Sequence, residues 1–316
     1  MRVKRMGRTG LKVSELCLGC MTFGGQCDEQ ASFAIMDRAV EAGCNFFDTA
    51  NVYTEGRSEQ IVGKWLKGRR DSIVLATKVR GPVGKGPNEG GLSRKHIMQA
   101  VEDSLRRFQT DYIDLYQVHS VDPETPLEET LRALDDLVRQ GKVRYLGCSN
   151  FAAWQLCKAL WVSDVRDLAR FDCVQPRYNL IHRGIERELL PLCAEEGIGV
   201  IAYNPLAGGF LSGKYRQGQA PPSNTRFALR DLYVQRYWHD REFAAVERLK
   251  AIAAAHDNSL VPFAVAWVIH NPAVTSAIVG ATSVAQLQES LEGFHTALSA
   301  GALAACDEVW GALWGR

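Results

Sequence analysis

The sequence predicts a (β/α)8 fold, a TIM barrel, and three observations predict it. Short apolar runs alternate with longer segments of helical period along nearly the whole chain, and eight such units fit within 316 residues. No linker-like stretch interrupts the series, so residues 1–316 are expected to form one domain. The glycine fingerprint of a doubly wound sheet is missing after the first strand. Its nearest match, Gly197-Ile198-Gly199-Val200-Ile201-Ala202, precedes a strand and reads as the turn entering it.

The elements follow in order. Val3 to Met6 and Leu11 to Ser14, joined by Gly7-Arg8-Thr9-Gly10, read as an N-terminal β-hairpin placed to plug the bottom of the barrel. Seven strand runs come next: Leu16 to Leu18, Phe46-Phe47, Ile73 to Ala76, Ile113 to Val118, Val143 to Gly147, Phe171 to Val174 and Val200 to Tyr203. Ser276 to Val279 makes the eighth.

Between the runs lie amphipathic segments. Ser93 can cap a helix to Phe108 with Ile97, Ala100, Val101, Leu105 and Phe108 on one face. Pro126 opens a second helix, Leu127 to Val138, which stops at Gly141; Gly43 and Gly197 stand where two others should end. Strands joined by helices must pair in parallel, because only a crossover returns the chain to the same end of the sheet. The stretch after strand 7, Pro205 to about His239, is rich in glycine, proline and aromatics and is expected to be a long loop over the active face. Gly81 to Gly91, with its several glycines, reads as a shorter mobile loop.

Composition narrows the function classes. At 46% hydrophobic and 23% charged, the chain has the material for a large core, and a net charge of +1 gives no electrostatic reason to expect nucleic acid or an anionic membrane as partner. The N-terminus lacks the apolar centre of a signal peptide, and no uncharged apolar stretch reaches the roughly 20 residues of a membrane span. The nine cysteines are scattered singly through apolar runs, apart from Cys17 and Cys20 at C-x-x-C spacing. That pair has no second pair and no nearby histidine, so no metal is expected and a reducing cytoplasm is the expected location.

In such a barrel, chemistry collects at the carboxyl ends of the strands. Polar or aromatic groups stand at nearly every one: Asp48, Lys78, His119, Ser149-Asn150, Gln175, Tyr203-Asn204 and Gly280. Singly, each has a plain structural reading: a hydrogen-bonded histidine, a surface lysine, a helix-capping aspartate. Together with Tyr53, in the loop after Asp48, they make a proton relay. A tyrosine beside a lysine, with an aspartate holding the lysine, gives a phenol whose pKa is expected to fall from about 10 and which can protonate a reduced carbonyl.

The motifs resemble the aldo-keto reductase family over about Val3 to Glu292. They are Phe46-Phe47-Asp48-Thr49-Ala50 with Tyr53, Ala76-Thr77-Lys78, Asp111 to His119, Gly141 to Gly147 with Ser149-Asn150, Pro205 to Gly209, and Val279-Gly280-Ala281-Thr282 with Gln286 and Glu289. Leu211-Ser212-Gly213-Lys214-Tyr215 makes the chain most similar to the branch holding bacterial aldo-keto reductases and potassium-channel β subunits.

The resemblance implies NADPH-dependent reduction of aldehydes and ketones. Tyr53 would be the general acid, Lys78 and Asp48 its support, and His119 a hydrogen-bond donor to the carbonyl oxygen. It also implies that Ser149, Asn150 and Gln175 hold the carboxamide and that Tyr203 stacks on the nicotinamide. Asn204, Leu206 and Gly208 with Lys214 would wrap the pyrophosphate, a phosphate would meet the backbone after Gly280, and Thr282, Gln286, Glu289 and Arg226 would hold the adenosine end. Ser290 stands where the motif usually has Asn, Asn204 replaces the commoner Ser, and no Lys or Arg lies beside Thr282 to meet a 2′-phosphate.

Met21, Phe23, Phe227 and Trp238, with Tyr233 and Tyr237, are the candidate lining of a substrate pocket, although simple packing of the long loop explains the aromatics equally well. Arg80, two residues after Lys78, faces either an anionic substrate or solvent. Two further readings compete: an NADP(H)-sensing regulatory subunit with slow turnover, and a barrel hydrolase using Asp48 and Asp114. The second fails because Asp114 alternates inside its strand toward the helices. The expected partner is a small carbonyl compound. Relatives of this kind occur as monomers and as rings, and either state fits the sequence.

Overall fold

The computed structural model describes residues 1–315. Two strands, β1 (Val3–Arg5) and β2 (Lys12–Ser14), form an antiparallel hairpin. Eight more close into a parallel barrel: β3 (Leu16–Gly19), β4 (Phe46–Asp48), β5 (Val74–Val79), β6 (Ile113–Val118), β7 (Val143–Ser149), β8 (Cys173–Gln175), β9 (Gly199–Tyr203) and β10 (Ser276–Val279). They pair in chain order, and β10 returns to β3 with Ile278 opposite Cys17.

The alternation along each strand decides what fills the barrel. Cys17, Phe46, Val74, Ala76, Leu115, Cys173, Ile201 and Ile278 point inward and form one interior cluster, sealed below by Met6 and Val13 of the hairpin. Their neighbours Leu16, Leu18, Phe47, Leu75 and Val200 belong to the second cluster, between barrel and helices. Continuing the inward parity up each strand reaches Asp48, Lys78, Gln117, Ser149, Gln175 and Tyr203. The floor is therefore apolar and the upper layer polar.

The helices are α1 (Glu29–Glu41), α2 (Arg57–Leu66), α3 (Arg94–Phe108), α4 (Leu127–Arg139), α5 (Ala153–Arg166), α6 (Leu189–Glu196), α7 (Arg226–Leu229), α8 (Asp231–Tyr237), α9 (Asp240–Ala255), α10 (Leu260–His270), α11 (Val284–Glu292) and α12 (Ala300–Leu313). Ser93 caps α3 by accepting from the His96 backbone, and the expected face, Ile97, Ala100, Val101, Leu105 and Phe108, is buried. Gly43, Gly141 and Gly197 all take positive φ where helices end.

The stretch Pro205 to His239 is a correction. It is not one loop: a 3-10 segment over Ala207–Ser212 is followed by α7 and α8. Aromatic packing orders it, with Phe210, Tyr215, Phe227, Tyr237, Trp238 and Phe243 interlocked at ring separations of 4.8 to 6.4 Å. No single helix among the described residues is long and apolar enough to cross a membrane.

Candidate active site

Lys78 and Asp48 lie side by side on the inner wall and are fully buried. The Lys78 ammonium donates to Asp48 Oδ2 at 2.5 Å and to the Thr49 carbonyl at 2.8 Å. Two charges out of water are costly unless paired and fully hydrogen-bonded, and here the remaining carboxylate oxygen is also satisfied. Asp48 Oδ1 accepts from Gln117 Nε2 and from Gln175 Nε2, both at 2.9 Å, and Gln175 Nε2 also reaches Gln117 Oε1 at 3.0 Å.

Gln117 is a site residue that does not stand out in the sequence, although it lies within Asp111 to His119. The available signal was parity: it sits two residues before His119 in an apolar strand. Gly147 on the neighbouring strand makes room for it, since a Cβ there would stand 3.0 Å from Gln117 Cγ and 2.6 Å from Cys173 Sγ.

Tyr53 starts a 3-10 turn directly after the β4 loop, with its ring against the Lys78 ammonium at 5.2 Å from centroid to Nζ. His119 meets the same ring edge-on, with centroids 5.7 Å apart and an interplanar angle of 77°. Thr54 and Glu55, immediately after Tyr53, both sit in the left-handed region at φ 51° and 57°, and Thr54 is tied by its hydroxyl to the Phe23 carbonyl at 2.7 Å. Strained backbone held by its surroundings is common where a side chain must be aimed.

The electrostatics differ from the sequence expectation in one respect. Burial pushes the Tyr53 phenol up from its ordinary pKa, Lys78 draws it down, and the result is a raised value, not a lowered one. Desolvation outweighs the neighbouring charge, which Asp48 partly cancels. The phenol therefore stays protonated at neutral pH, the form a proton donor needs. For Lys78, burial presses the ammonium down, but Asp48 and Tyr53 lift it to a net rise, so it stays charged. Burial, then Lys78 and Arg80, lower His119 to about 3, so its imidazole is neutral and carries one N–H.

The residues expected around a nicotinamide come together beside this group. Ser149 Oγ donates to the Gln175 carbonyl at 2.8 Å. Asn150, at φ 59°, donates to Ser149 Oγ and to the His119 carbonyl, both at 3.0 Å, and accepts from the Tyr203 hydroxyl at 2.7 Å. The carboxyl ends of β6, β7, β8 and β9 are thus linked into one network.

A second group follows β9 and β10. Asn204, at φ 61°, holds a buried side-chain Nδ2 with no partner. Gly208 is at φ 73°, where a Cβ would strike the Tyr233 ring at 2.4 Å. Leu206 caps the same 3-10 segment. The Lys214 ammonium comes within 4.0 Å of a Cβ built on Gly209, and Arg226 Nη2 within 3.8 Å of one built on Gly280. Burial and the charge of Arg226 lower the Lys214 pKa, and neither cation forms an ion pair among the described residues. An orphaned amide donor, uncrowded glycine backbone at Gly209 and Gly280 and two cations without counter-ions fit a bound anionic group such as a pyrophosphate. Arg226 joins this cluster next to Gly280.

At the head of α11, Thr282 donates through both its backbone N–H and its hydroxyl to Gln286 Oε1 at 2.9 Å, while Gln286 and Glu289 are exposed. Ser290 is buried and turns its hydroxyl back to the Gln286 carbonyl at 3.1 Å.

The pocket candidates divide. Met21 is half-buried just beyond β3, and Phe23 is wholly buried beneath the Tyr53 turn. Phe227 is 2% exposed, and Trp238 packs between Tyr215, Phe227 and Phe243, so both rings stabilise the segment after β9. Cys17 and Cys20 are buried free thiols pushed well up by burial, and no metal-binding group of His, Cys, Asp or Glu occurs among the described residues.

Comparison with known proteins agrees with this geometry. The family model described as "Aldo/keto reductase family" matches residues 15–311. An uncharacterised oxidoreductase of Bacillus subtilis, YrpG, is 39% identical over 96% of this chain and 94% of its own length. A probable voltage-gated potassium channel subunit beta of Arabidopsis thaliana is 41% identical over 92% of this chain and 90% of its own. The versiconal hemiacetal acetate reductase of Aspergillus parasiticus is 33% identical, covering 95% and 94%.

Proposed function

The chain belongs to the aldo/keto reductase family and is an oxidoreductase; we propose that it reduces aldehydes and ketones to alcohols with NADPH. The observation that carries this reading is the Tyr53 ring set against the buried Lys78–Asp48 pair, with neutral His119 at its edge.

When bound, the nicotinamide cofactor supplies the hydride that no side chain can. The chain's own groups manage the oxygen. His119, uncharged, donates its single N–H to the carbonyl oxygen and orients it. Tyr53 gives its phenolic proton to that oxygen as negative charge develops there. Lys78 stays cationic beside the phenol and stabilises the phenolate left behind, and Asp48 fixes the ammonium by its short hydrogen bond.

Ser149, Asn150, Gln175 and Tyr203 supply polar edges and a ring face for the nicotinamide end. Asn204, Leu206, Gly208 and Lys214 serve the pyrophosphate, and Arg226, Gly280, Thr282, Gln286 and Glu289 the adenosine half. The unpaired charges of Lys214 and Arg226 support NADPH over NADH, since the 2′-phosphate adds negative charge. The free cysteine thiols support a cytoplasmic location.

The resemblance to a channel β subunit supports a second reading, an NADP(H)-sensing subunit with slow turnover. The complete set Asp48, Tyr53, Lys78 and His119 favours the enzyme. NADPH oxidation measured with 4-nitrobenzaldehyde, for the wild type beside Tyr53→Phe, separates the two. Turnover that collapses in the variant while NADPH still binds is the enzyme's result. Binding without turnover in both proteins is the sensor's.

A further inference from the structure

We propose that the carbonyl substrate also carries a carboxylate and that Arg80 receives it, a specificity-determining role that rests on the reductase reading above. Arg80 follows β5 directly, two residues beyond Lys78. Its φ is 139°, in the region where a residue with a side chain is strained and persists only if its surroundings hold it.

Its guanidinium forms no ion pair and no side-chain hydrogen bond with any described residue, and Nε is buried with no partner. Three other partly buried arginines behave differently: Arg70 pairs with Asp114, Arg107 with Glu59 and Arg183 with Asp307. A rim arginine left to solvent would keep all its donors in water. Arg80 instead keeps a donor in the protein with nothing to receive it.

One carboxylate that its charge influences, Asp122, does not answer it. Asp122 is committed to the Leu92 backbone at 2.7 Å, the Thr125 hydroxyl at 2.7 Å and the Glu124 backbone at 3.1 Å. Arg80 nonetheless belongs to the site electrically. After burial and Lys78, its charge is the third influence holding His119 neutral.

Position identifies the kind of anion. β5 and β9 are third and seventh of eight strands in the closed barrel, so they stand across it from one another. The anion-fitting group of Asn204, Gly208 and Lys214 follows β9. Arg80 is on the opposite wall, with Tyr53 and His119, where a carbonyl compound would enter. A guanidinium there matches a carboxylate by two parallel N–H donors, so the preferred substrates are aldehyde or keto acids.

The test compares acids with their neutral esters: 4-carboxybenzaldehyde with methyl 4-formylbenzoate, and succinic semialdehyde with methyl 4-oxobutanoate. Each is assayed with NADPH on the wild type, Arg80→Met and Arg80→Lys. The wild type is expected to favour at least one acid over its ester by on the order of 10-fold in kcat/KM, mainly through KM. Arg80→Met erases that preference, bringing each acid down to the level of its ester in the same variant, while Arg80→Lys keeps part of it. Equal use of acid and ester in both pairs, or a preference that survives Arg80→Met, overturns the proposal.

Calorimetric binding of 4-(hydroxymethyl)benzoate, measured with NADP+ present, provides an arm that needs no turnover. Binding to the wild type that weakens in Arg80→Met supports the carboxylate site even if every carbonyl fails to react, an outcome that would sink the reductase reading alone. No binding to the wild type, or equal binding to both proteins, overturns the role given to Arg80.

Discussion

Gln117 and Gln175 donate to the same oxygen of Asp48, Oδ1, each at 2.9 Å, which leaves Oδ2 to Lys78. The carboxylate is thereby fixed from both sides inside the barrel. Gln175 is also a proposed cofactor contact, whereas Gln117 faces only protein. Gln117→Leu leaves part of a buried charged acceptor unsatisfied and is expected to cost about 1–3 kcal/mol of stability. It should also lower kcat more than it raises KM for NADPH. Chemical denaturation and steady-state kinetics on the variant check both; unchanged stability and kcat would deny Gln117 any part in holding Asp48.

Tyr53→Phe removes the phenol beside Lys78 and keeps the ring that packs against His119. The expected loss in kcat is on the order of 10²–10⁴-fold, the range of general acid catalysis. NADPH affinity, read by fluorescence titration, should change little, because the ring volume survives.

Much of this site was legible in the sequence because parallel strands buried on both faces appear as plain apolar runs. Asp48, Lys78 and His119 stood out by ending such runs. Gln117 did not, since one polar residue inside a run looks like a solvent-facing position until the parity with His119 is followed. The direction of the Tyr53 shift was missed for a different reason: a neighbouring charge can be read from sequence, but the degree of desolvation cannot. α7 and α8 hold only 4 and 7 residues, too few for a helical period to show among glycines and prolines. Phe227 and Trp238 likewise gave no sign of which partners they would pack against.

His119 gives the acid limb of stability. Its folded pKa, about 3, lies below the ordinary value near 6.5, so the neutral imidazole's contribution is complete above pH 6.5 and fades as pH falls toward 3. At pH 5 the loss amounts to ~2 kcal/mol, at 1.36 kcal/mol per unit. His182, lowered to about 4 by burial and by Arg177 and Arg236, adds to the same limb. Denaturation midpoints measured between pH 7 and pH 4 should fall for the wild type and fall less for His119→Asn. An equal slope in the two proteins would mean that His119 is not held neutral by the fold.

Lys78 gives the opposite limb. Its folded pKa is raised, so its contribution is fully present below the ordinary lysine value near 10.4 and is lost only as pH climbs beyond it toward the folded value. Lys78→Met removes that alkaline dependence and leaves Asp48 buried without its counter-charge, a change expected to cost about 3–5 kcal/mol at neutral pH. Adding Asp48→Leu to Lys78→Met should restore part of the loss, since an absent pair strands no charge. Midpoints for the single and double variants decide the matter: a double variant less stable than the single would mean that Asp48 is held mainly by Gln117 and Gln175.

Arg226 bears on the choice of nucleotide. It stands beside Gly280 with no ion-pair partner among the described residues, close enough to Lys214 to lower its pKa. If its charge meets the 2′-phosphate, Arg226→Met raises KM for NADPH by on the order of 10-fold, the equivalent of about 1.4 kcal/mol, and leaves KM for NADH nearly unchanged. If it meets the pyrophosphate that both nucleotides share, the two KM values rise together and the ratio between them stays constant. The ratio, not either KM alone, is therefore the informative quantity. It is measured with one carbonyl substrate at saturation, so that the Arg80 side of the barrel contributes equally to every assay.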